Sequence, residues 1–338
     1  WVSARGVVGD RRGWLISGRA LGLVGYGDCA PLPEAGTETA DAAAQRLLEL
    51  CARWRGQALD AALEGLNPGA PSAAPAADYA LDCALSDLGS RLAGIPLRRW
   101  LSPDATDRVP VNGALGGLLA ATPAAVARAL GGGFRVLKLK VGIGDPGSEL
   151  AHLRRLVAGL PTGIGLRLDA NGAWDLDTAT RVVAALKGLP VESLEEPLRR
   201  PDRPTLAALQ SGVRFPLALD ESIATLGAQL DPDRLPVRRL VLKPAAQGGL
   251  RRTLALARRL QRAGIEVVIT GVIESAAGLW PTAQLAAAIG SPIPQGLATA
   301  DWLGEDQGAP PQVRAGHLEL PDSPGSGFRL HAAGGSAD

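Results

Sequence analysis

The chain has 338 residues, enough to bury a large core and to form one big domain with a smaller one beside it. Its 35 basic and 34 acidic residues leave a net charge of +1, which excludes a global field for nucleic acid or an anionic membrane. No apolar run reaches the ~18 residues of a membrane span and no charged-then-apolar leader opens the chain, so neither a membrane protein nor a secreted one is expected. Methionine is absent and Trp1 comes first, so the chain as it stands is not expected to be the complete translation product. Cys29, Cys51 and Cys83 are odd in number and lack metal-type spacing, so they are expected as free thiols in a reducing cytoplasm.

Residues 1–105 read as a small α+β domain. WVSARGVV (1–8) and GWLISGRA (13–20) suggest antiparallel strands, followed by a loop, GYGDCAPLPEAGTET (25–39). Helical periodicity follows over 38–54 and 74–93, with PGAPSAAP (68–75) as a connector between the two.

From about residue 106 to 304, short apolar segments alternate with longer Ala/Leu/Arg stretches of helical period. The predicted strands are 109–115, 134–141, 163–170, 190–196, 215–221, 238–244, 264–271 and 292–299. Helices are predicted between them at 148–158, 176–187, 203–211, 249–262 and 276–289. The polar residues that end the strands recur about every 25 residues, the length of one strand–helix unit. Eight such units close into a parallel barrel. An open doubly wound sheet would need a glycine-rich phosphate turn, and GALGGL (113–118) lacks the G-x-G-x-x-G spacing. The tail, 305–338, is expected to return and pack on the first domain.

The chain contains only four lysines, Lys138, Lys140, Lys187 and Lys243, and uses arginine for every other basic side chain. Arginine cannot give up its proton, whereas a buried lysine can. Lys138 and Lys140 lie on one face of one strand, because alternation has period two. Asp169, Glu195 and Asp220 end the next three strands, and Lys243 ends the one after. A single strand-end acid ordinarily caps the following helix. Three on adjacent strands would repel one another unless a cation sat between them, and hard oxygen donors in that number suit Mg²⁺, with Mn²⁺ as an alternative. Neighbouring ammonium charge lowers the pKa of one lysine, so Lys140 is the candidate base, Lys138 its tuning partner, and Lys243 the group facing the opposite side of the substrate. Metal plus base suits removal of a proton α to a carboxylate. His152, His317 and His331 fall in a helix or in the tail and offer no rival base.

These segments, together with KLKVG, LRLDANGAW, LEEPL, LALDES, LVLKPAAQGG and ITGVIESAAG, resemble the enolase superfamily, muconate-cycloisomerase subgroup, and within it the o-succinylbenzoate synthases. The resemblance covers nearly the whole chain and implies an α+β capping domain over a modified (β/α)7β TIM-type barrel. It implies Asp169, Glu195 and Asp220 as magnesium ligands, with the match falling on Glu195 rather than Glu196. It also implies Lys140 as acid and base, Lys243 as a stabilising charge, and the loop at 25–36 as a cover over the substrate. Thr270, Gly271 and Gly296 match positions near a substrate carboxylate, expected to act through backbone N–H groups, and Asn171 and Arg167 complete the expected substrate contacts. The implied reaction is dehydration of 2-succinyl-6-hydroxy-2,4-cyclohexadiene-1-carboxylate in menaquinone or phylloquinone synthesis. N-succinylamino acid racemase, cycloisomerase and dipeptide epimerase are the rivals within the subgroup, and a non-catalytic binding barrel is the rival outside it. GLATADWL carries Asp301 alone where the epimerases have an Asp-x-Asp for the substrate ammonium, which favours a small carboxylate substrate without a free amine.

Overall fold

Seven parallel strands follow one another in space in the order they follow in sequence, most of them separated from the next by a helical crossover. The computed structural model describes residues 2–3, 6–7, 11–66, 72–223 and 231–331. Before the parallel sheet come a hairpin of β1 (Trp14–Ala20) and β2 (Leu23–Cys29), then helices α1 (Ala40–Trp54) and α2 (Pro75–Leu92). Val2–Ser3 and Gly6–Val7 pair antiparallel ahead of them. The connector read at 68–75 lies partly outside the described residues.

The segment read as a loop from residue 25 begins instead as strand, since β2 runs to Cys29. Gly25 and Gly27 hide it, because an apolar alternation needs side chains to be seen. Both glycines are required by packing: a Cβ on Gly25 would sit 2.2 Å from the Ala84 carbonyl oxygen, and one on Gly27 2.0 Å from that of Ala80. Helix α2 therefore lies directly on the backbone of β2.

The barrel strands are β3 (Gly113–Gly117), β4 (Val136–Lys140), β5 (Gly165–Asp169), β6 (Val191–Glu195), β7 (Leu217–Leu219), β8 (Arg239–Leu242) and β9 (Glu266–Ile269). Their leucines and isoleucines, such as Leu137, Leu139, Leu166, Leu168, Leu240 and Ile269, face the helices and form one continuous core with them. The alternate residues face inward, where Ala218, Val241 and Val268 form a separate apolar cluster with Ile293. Helices α3 (Pro123–Gly131), α4 (Pro146–Ala158), α5 (Leu176–Ala185), α6 (Arg203–Ser211), α7 (Leu250–Arg262) and α8 (Ala276–Ile289) cover the outside. Asp145, Asp175 and Asp202 cap α4, α5 and α6, each accepting a backbone N–H three residues on. In α7 the buried positions Leu250, Thr253, Leu254, Ala257 and Leu260 recur at helical spacing.

Two predicted barrel strands differ from the structure. The first, 109–115, is split: Arg108–Pro110 pairs antiparallel with His317–Glu319, and only Gly113–Gly117 joins the barrel. The last, 292–299, supplies isolated bridges alone, Val111 to Gln295 on one side and Thr270 to Gly296 on the other. Pro292 and Pro294 have no N–H to donate, so a full ladder cannot form there. The Gln295 side chain supplies a substitute, its Oε1 accepting from the Ile269 N–H at 2.6 Å. These bridges close the seven strands into the (β/α)7β arrangement.

Buried aspartates fasten the N-terminal elements to the barrel. Asp82 on α2 accepts the Leu250 N–H at the start of α7 (2.6 Å), and Asp28 on β2 accepts the Ser275 N–H at the start of α8 (2.7 Å). Each places a carboxylate at a positive helix terminus. Asp87 on α2 accepts the Ser326 N–H of the tail at 2.6 Å. The tail also reaches the barrel, where Asp306 accepts the Ala276 N–H. No helix among the described residues is long and apolar enough to cross a membrane.

Candidate active site

A cavity of about 650 Å³ opens at the carboxyl ends of the strands, under Leu32, Glu34 and Ala35 of the N-terminal loop. All three lysines expected there, Lys138, Lys140 and Lys243, line it, as do Asp169, Glu195 and Asp220. So do Asn171, Arg167, Thr270, Gly271 and Gly296. The placement follows from period-two alternation: Leu137 and Leu139 turn to the helices, so Lys138 and Lys140 turn inward. Asp169 pairs in register with Lys140 on one side and Glu195 on the other. β4 and β8 are four places apart in the sheet order, which sets Lys140 and Lys243 on opposite walls. No histidine lines the cavity.

The amines and acids are interleaved. Lys138 Nζ lies 2.9 Å from Asp169 Oδ2 and 2.9 Å from Glu195 Oε2, and Lys243 Nζ lies 2.5 Å from both oxygens of Asp220. Burial alone would lower the pKa of Lys138, but Asp169 and Glu195 raise it, so this amine stays charged. Lys243 is likewise raised against its burial by Asp220 and Glu221. Lys140 moves the other way: burial lowers its pKa most, the Asp169 charge opposes this, and the Lys138 charge lowers it further. Desolvation thus contributes more than the like-charge effect expected from the lysine pair. Glu195 is raised by burial and by Asp169.

Three expected substrate contacts, Arg167, Thr270 and Gly296, are otherwise engaged. Arg167 donates to Glu192 (3.1 Å), Asn112 Oδ1 (3.0 Å) and the Pro294 carbonyl (3.1 Å), within a network that continues from Glu192 to the buried Arg239 and the partly exposed Glu266. It reads as the charged floor of the cavity. The N–H groups of Thr270 and Gly296 donate to Leu242 O (3.1 Å) and Ile269 O (2.9 Å), closing the barrel. The Thr270 hydroxyl donates to Gly296 O at 2.9 Å. Of Thr270, Gly271 and Gly296, only the Gly271 N–H meets no protein acceptor among the described residues.

Sequence reasoning missed Glu221 and Asn171 as a pair. Asn171 Nδ2 donates to Glu221 Oε1 at 3.3 Å, while Asn171 Oδ1 and Glu221 Oε2 are buried without a hydrogen-bond partner among the described residues. The signal was present as a second acid directly after Asp220 in LALDES. Among the described residues no three acids, histidines or cysteines close into a metal-ligand set as they stand. The donor chemistry nonetheless fits a hard divalent ion: Asp169, Glu195, Asp220 and Glu221 are one acid more than the three amines neutralise, and two oxygens are orphaned beside them.

The family model described as "Enolase C-terminal domain-like" matches residues 121–333. The chain belongs to the enolase superfamily. It is 33% identical to an o-succinylbenzoate synthase of Desulfotalea psychrophila over 239 residues, 67% of this chain and 62% of that one. The match thus spans less than two thirds of that relative. It is 30% identical to a hydrophobic dipeptide epimerase of Roseobacter litoralis over 297 residues, 84% of this chain and 82% of that one. The muconate cycloisomerase of Pseudomonas fluorescens superposes with a TM-score of 0.79 at 26% identity, covering 94% of this chain and 91% of that one. These relatives set this enolase-superfamily chain in the muconate-cycloisomerase subgroup, among proteins like the o-succinylbenzoate synthases.

Proposed function

We propose that the protein is an o-succinylbenzoate synthase, dehydrating 2-succinyl-6-hydroxy-2,4-cyclohexadiene-1-carboxylate. The observation that carries the reading is the pair of amines on opposite walls, one with its pKa lowered and one held charged, with carboxylates between them. Lys140, in its neutral form, takes the α-proton, and the C–H electron pair moves into the carboxylate. The pair then returns to form the ring double bond as the C6 hydroxyl leaves, protonated to water by the Lys140 ammonium. Lys243, cationic on the far wall, balances the negative charge of the deprotonated substrate. Mg²⁺ or Mn²⁺ held by Asp169, Glu195 and Asp220 would supply further neutralisation of the substrate carboxylate.

Against a dipeptide substrate stands the wall at 298–302. Ala298, Thr299 and Trp302 line the cavity there, whereas Asp301 is exposed and is not among the lining residues. No acid of this wall is available for a free ammonium group. The o-succinylbenzoate synthase relatives support the same choice, and the cytoplasmic setting and the menaquinone or phylloquinone pathway go with it. The test is Mg²⁺-dependent loss of the ultraviolet absorbance of the cyclohexadiene substrate, abolished in Lys140→Ala. Turnover of that variant at the wild-type rate refutes the role given to Lys140. If the wild-type protein leaves the diene untouched but exchanges solvent deuterium into N-succinyl amino acids, the racemase reading replaces this one.

A further inference from the structure

The second glutamate of Leu194-Glu195-Glu196 does not line the cavity, yet it touches the loops of two neighbouring strands. Glu196 is buried and sits one residue past β6 with φ +45°, a left-handed conformation that costs a side-chain-bearing residue about 1–2 kcal/mol. That turn carries its carboxylate to the segment after β7. Oε1 accepts the N–H of Asp220 at 2.7 Å and of Ser222 at 2.9 Å, and Oε2 accepts the Ser222 hydroxyl at 2.6 Å. Its own N–H donates to the Ala218 carbonyl at 3.0 Å, and its carbonyl accepts the Gly172 N–H at 2.7 Å. One residue thus ties the chain after Asp169, the chain after Glu195 and the chain around Asp220.

We propose that Glu196 is a positioning residue that fixes the backbone segments carrying Asp169, Glu195 and Asp220, so that their carboxylates can converge on a divalent cation when one binds. The inference rests on reading those three acids as the cation site. Carboxylates on three adjacent strands repel, and the short β7 ladder, three residues long, gives Asp220 little support of its own. The Glu196 carboxylate replaces that support with hydrogen bonds to the turn itself. Its action is geometric, so the neutral amide of Gln serves equally: Oε1 accepts the two N–H groups and Nε2 donates to the Ser222 oxygen.

The test titrates Mn²⁺ alone into the purified chain and follows the electron paramagnetic resonance signal of the free ion. Outer-shell partners of metal ligands change affinity by about 10–100-fold. Glu196→Ala is expected to weaken Mn²⁺ binding by about tenfold or more, while Glu196→Gln stays within a few-fold of wild type. Equal weakening in both variants overturns the proposal, because charge rather than geometry would then be at work, and so does unchanged binding in Glu196→Ala. If Glu196→Ala does not fold, Ser222→Ala decides, since it removes one donor from the same clamp: weakened binding supports the proposal and unchanged binding overturns it. Binding in Asp169→Asn equal to wild type overturns the cation-site reading, and the proposal with it, whatever the Glu196 variants do.

Discussion

Replacing Glu149 by alanine tests how the loop behind the proposed base is held. Glu149, buried on α4, accepts three consecutive backbone N–H groups: Gly142 at 2.7 Å, Ile143 at 3.1 Å and Gly144 at 3.0 Å. These begin two residues after Lys140, with Gly142 at φ +77°. Each hydrogen bond to a charged acceptor contributes about 1.5–3 kcal/mol, so a literal sum over three exceeds 4 kcal/mol. Gly142 and Gly144 are only half-buried and Ile143 is exposed, so water recovers part of that loss. The expected destabilisation is about 2–4 kcal/mol, read from urea unfolding with the dependence on denaturant unchanged. The catalytic rate should fall as well, since the loop fixes the exit of β4. A loss below about 1 kcal/mol with full activity would show that the loop holds its shape without Glu149.

Three further outcomes follow from the geometry. Gly27→Ala drives a Cβ to 2.0 Å from the Ala80 carbonyl, so β2 and α2 must separate; overpacking of this kind costs about 1–3 kcal/mol or more, measurable as a lowered melting temperature. The rate constant kcat/KM should rise tenfold per pH unit while Lys140 is protonated and level off at its pKa. Because burial lowers that pKa from the usual 10.5, the plateau should begin below pH 10.5, and a rise continuing beyond it contradicts the assignment. Asp301→Asn, on an exposed side chain outside the cavity, should leave steady-state turnover of the diene unchanged; a loss of tenfold would return this wall to the substrate site.

The barrel and the site lining were legible before any coordinates, and for a local reason. Strand alternation has period two, so Lys138 and Lys140 could be assigned to one face of their strand, while Asp169, Glu195, Asp220 and Lys243 were read as strand ends. The unit length of strand plus helix then stacked their ends on one rim. Failures arose where the pattern loses its side chains or its donors. Gly25 and Gly27 concealed a strand, and Pro292 and Pro294 reduced a strand to two bridges whose missing ladder bond is supplied by Gln295.

What residue order determined here is the choice of chemical groups and the face each one takes. What the tertiary structure alone decided is the partner each group finds. Arg167 was assigned to substrate and is engaged by Glu192 and Asn112; Glu196 was set aside and holds the turn at Asp220; Asp28 and Asp82 were not singled out and fasten hairpin and helix to the barrel. These contacts join residues 24 to 247 positions apart. Hydrogen bonding depends on separations of about 3 Å in space, and no local periodicity carries that distance.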